Sequence, residues 1–290
     1  IGVDVGGTFI DIVAIERGAK IVRSEKVLST PNDLSIGILD GLNKMFGAQL
    51  KSKLENSRIV HATTSATNAL LEKRTSRVSL ITNKGFRDVL EIRRHARSDT
   101  YNIELEIAPP LVPRNLRIEI DGRLAPDGTV IEQVNKQQIV KVVKDLKKAN
   151  INVYTVCLLH AYARPEEEHN VADIILEVDP DAYVTCSVDV CPEFREYERT
   201  STAVVNAAVM PLVDAYLQKL ENRLELEGYG KRLYIMQSSG GMMTSSEIRN
   251  QPVNIIESGP AAGVVATQAI GKVLGRENLL SFDMGGTTAK

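Results

Sequence analysis

Apolar and polar positions alternate along the first part of the chain, and then the period lengthens. Residues 1–5, 9–15 and 20–28 read as three short strands, with a turn at residues 16–19, so the chain opens as an antiparallel meander. From Pro31-Asn32-Asp33 onward, Ile38, Leu39, Leu42, Met45 and Phe46 fall on one face of a helix. Residues 58–61 and 77–82 read as strands. Residues 85–95 read as an amphipathic, arginine-rich helix, and residues 101–113, with three prolines, as a loop. Asp121-Gly122 and Asp127-Gly128 have the composition of hairpin turns. Asn135 caps a helix that turns Ile139, Val142, Val143 and Leu146 inward. Residues 151–159 are a continuous apolar run, as expected of a parallel strand covered on both faces. Pro165 and Glu166-Glu167-Glu168 open a further helix, with Val171, Ile174, Ile175 and Val178 on its inner face, and residues 182–188 form the strand after it. This alternation specifies α/β layers. Past residue 190 a charged, hydroxyl-rich run leads into a long helix carrying Val213, Tyr216, Leu217, Leu220 and Leu224. A domain boundary is expected there, dividing 1–190 from 191–290.

The candidate chemistry lies at the two ends. Val3-Asp4-Val5-Gly6-Gly7-Thr8 and Phe282-Asp283-Met284-Gly285-Gly286-Thr287 share the pattern apolar-Asp-apolar-Gly-Gly-Thr. A glycine pair after a strand lets backbone N–H groups approach phosphate oxygens, and the threonine hydroxyl adds a donor. An aspartate at the strand end is placed to hold Mg²⁺, which takes one or two carboxylates together with phosphates and water. One such loop is also what closes an ordinary hairpin; two copies point to a two-loop phosphate clamp, with Asp4 and Asp283 sharing one site. Asp11 sits at the mouth of the first loop, where either a catalytic role or a solvated strand position fits. Thr63, Thr64 and Asn68 belong to a hydroxyl-rich segment at a helix start, suited to an anion site or to a dense set of caps. Arg87, Asp88, Arg93 and Arg94 form either a salt-bridged surface or a basic wall facing an anionic substrate. His61 is expected to be a packed strand residue.

Composition excludes more than it identifies. The 290 residues suffice for roughly two domains. A net charge of −2 with both signs interspersed gives no footprint for nucleic acid or an anionic membrane. The sequence has no apolar run of membrane-spanning length. Cys157, Cys186 and Cys191 fit packed or free thiols, and a reducing, cytoplasmic compartment is the simplest expectation. The chain opens inside a strand and stops just past the second loop, from which a longer polypeptide is expected.

The motifs Gly2-Val3-Asp4-Val5-Gly6-Gly7-Thr8-Phe9, His61-Ala62-Thr63-Thr64-Ser65-Ala66-Thr67-Asn68 and Gly85-Phe86-Arg87-Asp88-Val89-Leu90-Glu91-Ile92 occur in that order. They are followed by Arg195-Glu196-Tyr197-Glu198-Arg199-Thr200, Gln237-Ser238-Ser239-Gly240-Gly241, Ser258-Gly259-Pro260-Ala261-Ala262-Gly263 and Phe282-Asp283-Met284-Gly285-Gly286-Thr287. Together they resemble the N-terminal part of the hydantoinase A/5-oxoprolinase family, within the actin-like ATPase superfamily. Ile10 departs from the threonine usual there. The resemblance implies an α/β, actin-like ATPase (ribonuclease H-like) fold with mixed sheets flanked by helices, incomplete at the C-terminus. It further implies ATP and Mg²⁺, with Gly6, Gly7, Thr8, Gly285, Gly286 and Thr287 on the phosphates and Asp4 and Asp283 at the metal. Asp11 and Glu257 are the candidate catalytic carboxylates, and Thr63, Thr64, Asn68, Arg87 and Arg94 the candidate substrate residues. The implied activity is ATP-dependent hydrolysis of a small cyclic amide of hydantoin or 5-oxoproline type, in an oligomer with a second hydantoinase B-type subunit or domain. The rival within the family is the ATP-hydrolysing subunit of an acetone- or acetophenone-type carboxylase; a rival of another class is a chaperone-like ATPase. By superfamily order the adenosine pocket follows the second loop, so residues 1–290 alone are expected to bind ATP weakly.

Overall fold

The computed structural model describes residues 1–290 except 17–21, 31, 97–98, 106 and 285–290. The chain forms two compact units, residues 1–74 with 212–290 and residues 75–211, so the second is a continuous insertion into the first. Among the described residues, no helix is long and apolar enough to cross a membrane.

The first unit opens with β1 (Gly2–Val5), β2 (Phe9–Ile15) and β3 (Val22–Leu28), the antiparallel meander expected from the alternation. Val3, Val5, Ile10, Ile12 and Ala14 point to the inner face; Asp4 and Asp11 point out. Helix α1 (Leu34–Phe46) covers the inner face, its N-cap Asp33 accepting from Ser35 N at 3.1 Å. Two glycines set how closely it lies. A Cβ on Gly37 would meet Ile10 Cδ1 at 2.7 Å, and one on Gly41 would meet Ile12 Cδ1 at 2.5 Å. The chain continues through α2 (Leu50–Glu55), β4 (Val60–Thr63) and α3 (Ser65–Leu71).

The second unit contains β5 (Ser79–Asn83), α4 (Val89–Ile92), β6 (Arg117–Ile120), β7 (Arg123–Leu124), β8 (Val130–Glu132), α5 (Lys136–Lys148), β9 (Val153–Cys157), α6 (Glu166–Val178), β10 (Tyr183–Cys186) and α7 (Ser187–Val190). Its main sheet, ordered β10-β9-β5-β6, is entirely parallel. Every residue of β5 and β9 is buried, which explains the unbroken apolar run read from the sequence. Leu80, Ile81, Ile120, Val143, Tyr154 and Ile175 lie in its core. Asn135 caps α5 as expected, accepting from Gln137 N and Gln138 N.

The long helix α8 (Glu196–Leu226) carries the chain back to the first unit, which ends with β11 (Tyr234–Met236), β12 (Met242–Thr244), α9 (Ser245–Asn250) and α10 (Ser258–Leu274). Strand β11 pairs in parallel with β4, completing a mixed sheet ordered β12-β11-β4-β1-β2-β3. The mixed sheet and its flanking helices are those of the actin-like ATPase, ribonuclease H-like fold.

Two local expectations are corrected. Residues 85–95 are not one helix: α4 is a single turn, because Arg93 (φ 56°) and His95 (φ 55°) leave the right-handed region. Asp127-Gly128 does close the β7–β8 hairpin, but Asp121-Gly122 instead joins β6 to β7, which lie in different sheets.

Candidate functional site

Register gathers the acids. Asp4 of β1 is the cross-strand partner of Asp11 of β2, which in turn pairs with Lys26 of β3. The row therefore reads Asp4, Asp11, Lys26 on the outward face, and Lys26 Nζ lies 2.7 Å from the Asp11 carboxylate. Asp4 is open to solvent at its tip but crowded by protein. Its carboxyl pKa is raised, first by desolvation, then by the charges of Asp11 and Asp283, with Lys26 acting the other way. Asp283 thus lies within electrostatic reach of Asp4, as the shared pattern of the two loops requires.

The first glycine loop is fastened through its carbonyls. Ser29 Oγ donates to the Gly6 carbonyl at 2.8 Å, Ser29 N donates to Thr8 O at 2.9 Å, and Gly6 N donates to Phe9 O at 3.0 Å. Gly6 and Gly7 are not at positive φ. What demands glycine is space: a Cβ on Gly6 would sit 3.2 Å from Phe9 O. Gly7 and Thr8 are exposed. Of the second loop, Gly285, Gly286 and Thr287 lie outside the described residues.

The hydroxyl-rich segment at β4–α3 adjoins the same place. Thr64 N and Oγ1 both donate to Val5 O, at 3.1 and 3.3 Å, and Asn68 Nδ2 donates to Thr64 Oγ1 at 3.2 Å. A Cβ on Gly7 would stand 3.7 Å from Asn68 Nδ2. Thr63 is fully buried; its Oγ1 accepts from Ser65 N, and its carbonyl accepts from Ser258 Oγ at 3.3 Å. That bond seats the start of α10 beside the loop, and a Cβ on Gly259 would lie 3.7 Å from Asp4 Oδ1. Glu257, just before the helix, is left-handed (φ 64°), and its N–H donates to Thr67 Oγ1. The loop, the β4–α3 corner and the head of α10 therefore bring Asp4, Gly7, Thr64, Asn68 and Gly259 together. A cavity of about 790 Å³ beside the far half of α10, lined by Gln268, Lys272, Arg276 and Leu279 among others, is a separate feature.

His61 is the packed residue expected of it. It is fully buried between the Val3 carbonyl, 3.3 Å from Nδ1, and the Tyr216 hydroxyl, 2.7 Å from Nε2. The carbonyl can only accept, so Nδ1 carries the proton and the tyrosine donates to Nε2. Desolvation lowers the imidazole pKa to about 4, which keeps the ring neutral at physiological pH.

Arg87 and Arg94 belong to the second unit. Arg94 Nε donates to Glu198 at 2.6 Å, and Arg87 Nη1 lies 3.8 Å from Glu119. Asp88 takes a two-pronged contact from Arg114, at 2.9 Å on each oxygen, and Arg93 donates to the Ala108 carbonyl. Lys26, Ser29 and Gly259 were not singled out from the sequence. The first two are visible only once the β2–β3 register is known, the third only once α10 is placed.

Asp4, with the charges of Asp11 and Asp283 bearing on it beside a glycine loop, suits a divalent cation and a polyphosphate. Asp4 and Asp283 would hold the ion. The fold is that of the actin-like ATPase class. More narrowly, the chain belongs to the hydantoinase/oxoprolinase family: the model of its N-terminal region matches residues 1–179, and the hydantoinase/oxoprolinase model matches residues 199–290.

Three relatives show how close the likeness is. An uncharacterized protein of Methanocaldococcus jannaschii is 36% identical over 100% of this chain and 42% of its own length. The alpha subunit of caprolactamase from Pseudomonas jessenii is 31% identical over 99% of this chain and 42% of its own. The crystal structure of that ATP-dependent caprolactamase superposes with a TM-score of 0.88. The nucleotide-free structure of acetone carboxylase, an enzyme of ATP-dependent acetone carboxylation, superposes with a TM-score of 0.89 at 26% identity, over 99% of this chain and 42% of that one. The chain thus spans about 42% of the length of these relatives.

Proposed function

We propose that this chain supplies the phosphate-binding part of an ATP-dependent hydrolase acting on small cyclic amides. The observation that carries the proposal is the cross-strand pairing of Asp4 with Asp11 beside the Gly6-Gly7-Thr8 loop and the head of α10. The ATP dependence of the caprolactamase, whose name denotes a cyclic amide substrate, supports it. In this proposal the Gly7 N–H and the Thr8 hydroxyl bind phosphate oxygens, Gly6 shapes the turn with its own N–H held by the Phe9 carbonyl, and Gly285, Gly286 and Thr287 complete the phosphate site. Asp4 and Asp283 would hold Mg²⁺, which would supply charge neutralisation. Asp11, oriented by Lys26, and Glu257, at the head of α10, are the candidate catalytic carboxylates. Thr64 and Asn68, beside the loop, are candidate substrate residues, whereas Thr63 is buried and holds the corner; Arg87 and Arg94 of the second unit are carried as candidate substrate residues on their charge alone. The γ-phosphoryl group passes from ATP to the amide oxygen with ADP leaving; water then adds at the activated carbon, and cleavage of the ring C–N bond with loss of phosphate gives the ring-opened acid, so positioning and electrostatics do most of the work. The matched regions, ending at residue 179 and resuming at 199, support a functional division near residue 190. A second, hydantoinase B-type subunit or domain completes the enzyme, in keeping with the subunit naming of the caprolactamase.

The closeness of the acetone carboxylase structure favours a second reading, in which ATP activates a ketone for carboxylation. One assay separates them. The full-length polypeptide, with its partner, is given Mg-ATP and a panel of hydantoins, 5-oxoproline, lactams and, with bicarbonate, small ketones. ADP release coupled to a ring-opened acid is the expected outcome; a carboxylated ketone favours the second reading. ATP hydrolysis stimulated only by unfolded peptide overturns both. Arg94→Ala is expected to lower turnover on the best substrate without moving the melting temperature, since its ion pair with Glu198 is exposed.

A further inference from the structure

The end of β10 carries a second group of ligand-type side chains, in the unit that contains none of Asp4, Asp11 and Asp283. Cys186 closes the strand, Asp189 follows three residues later in the single turn of α7, and His169 sits in the first turns of α6. The Cys-x-x-Asp spacing folds Asp189 back over the strand end. There His169 Nε2 lies 2.9 Å from Asp189 Oδ1. Nε2, the Cys186 sulfur and an Asp189 oxygen all lie within 4.8 Å of one another.

The frame holding them is rigid and independent of the cluster. Glu168, fully buried and next to His169, accepts from Ser187 Oγ at 2.7 Å and Val188 N at 3.1 Å. These bonds tie α6 to the turn between Cys186 and Asp189, so all three ligands are carried on elements already locked together. The thiol donates only to the Glu168 carbonyl, 3.6 Å away, a weak contact that leaves the sulfur available. Burial is the first influence on the thiol, followed by the charges of Glu168, Asp189 and Asp173. A surface ion pair accounts for His169 with Asp189, but not for a sulfur placed beside both.

We propose that His169, Cys186 and Asp189 form a site for a borderline-soft divalent cation of the zinc type. Nitrogen, sulfur and oxygen donors together select such an ion over Mg²⁺ or Ca²⁺, which prefer oxygen alone. Zinc–ligand bonds of about 2.0–2.3 Å bring tetrahedral ligands to within about 4 Å of one another. Side-chain rotation closes that gap, because His169 and Asp189 are each about half exposed, with side-chain exposures of 47% and 51%. Three protein ligands leave the fourth position to water. Binding forms the metal–sulfur bond and releases the thiol proton to solvent, one per ion. Its role is a clip of α6 to α7.

The test uses the whole polypeptide, stripped with chelator, with excess Mg²⁺ present to fill oxygen-only sites. Co²⁺ titration should saturate at one ion per chain and develop a thiolate-to-cobalt charge-transfer band. Zn²⁺ calorimetry in buffers of different ionisation enthalpy should show one proton released. Cys186→Ser should abolish the band, and His169→Gln and Asp189→Asn should each weaken binding by more than about tenfold, the scale that outer-shell changes alone reach. Cys191→Ser should change nothing. The two exposed positions allow a decision even if Cys186→Ser does not fold. Absence of saturable binding, or a band that survives in Cys186→Ser, overturns the site; so does affinity unchanged in both His169→Gln and Asp189→Asn.

Discussion

Asp4 in the first unit and Glu168 in the second are both acids with a raised pKa, and desolvation is the largest cause in each. They differ in what else surrounds them. Beside Asp4 the next influences are two more carboxylates, Asp11 and Asp283, opposed only by Lys26. Glu168 instead accepts from Leu158 N, Ser187 Oγ and Val188 N, and the charge of Arg199 favours its ionised form. One acid is compensated entirely from within the fold, and its loss is a structural event. The other is held among like charges at a glycine loop, an arrangement completed by a cation. A raised pKa alone does not tell the two apart; the identity of the neighbouring groups does.

Glu168→Ala should break the second half of this contrast with the largest effect. It strands two backbone N–H groups, a hydroxyl and the Arg199 charge, and should cost about 3–5 kcal/mol in chemical denaturation. Glu168→Gln, keeping one acceptor oxygen, should cost less.

His61 gives the next largest effect, through pH. Its proton binds near pH 6.5 in the unfolded chain and only near pH 4 in the fold. As pH falls through that window the unfolded state takes up the proton first. Stability should therefore decline below about pH 6.5 and level off below pH 4, with a total loss of roughly 3 kcal/mol. Urea melts at a series of pH values measure this. A native histidine pKa near 6.5 by NMR would show that the Tyr216 contact is open in solution.

Asp4→Asn sharpens the first half with the smallest effect on stability. A carboxyl with a raised pKa costs stability once it ionises, so without metal the amide should raise the melting temperature, by roughly a degree or two. The same substitution should abolish any thermal stabilisation by Mg-ATP in the full-length protein. A metal-free variant less stable than wild type would mean that Asp4 is compensated within the fold after all.

Much of this was legible from local pattern. The period-two alternation of residues 9–15 gave β2, and the Asn135 cap gave the start of α5. Local pattern failed where the chain departs from its own period. Residues 85–95 have helical composition, but two left-handed residues, Arg93 and His95, interrupt them, and hydrophobic spacing does not register a φ angle. Glu168 is a similar case. In the run Glu166-Glu167-Glu168 it looks like its neighbours at a helix start, yet it is buried. The two amides and one hydroxyl that welcome it come from residues 158 and 187–188, brought close by β9 and β10. The inward turn of Arg199, whose guanidinium donates to the Leu158 carbonyl, was hidden among alternating charges for the same reason.

The insertion of one unit within the other also dictates an order of birth. Residues 75–211 form one unbroken stretch that can close its parallel sheet as it leaves the ribosome. The first unit must wait. Ile59 N, at the head of β4, donates to the hydroxyl of Tyr229, 170 residues later, an interval of roughly ten to thirty seconds at ordinary rates of synthesis. Until β11 arrives, β4 is an open strand edge beside an already assembled β1–β3 meander, and such edges recruit other chains. The strands made before the insertion are thus completed only after it, and nascent chains should be more prone to aggregate after the second unit has emerged and before residue 236 has.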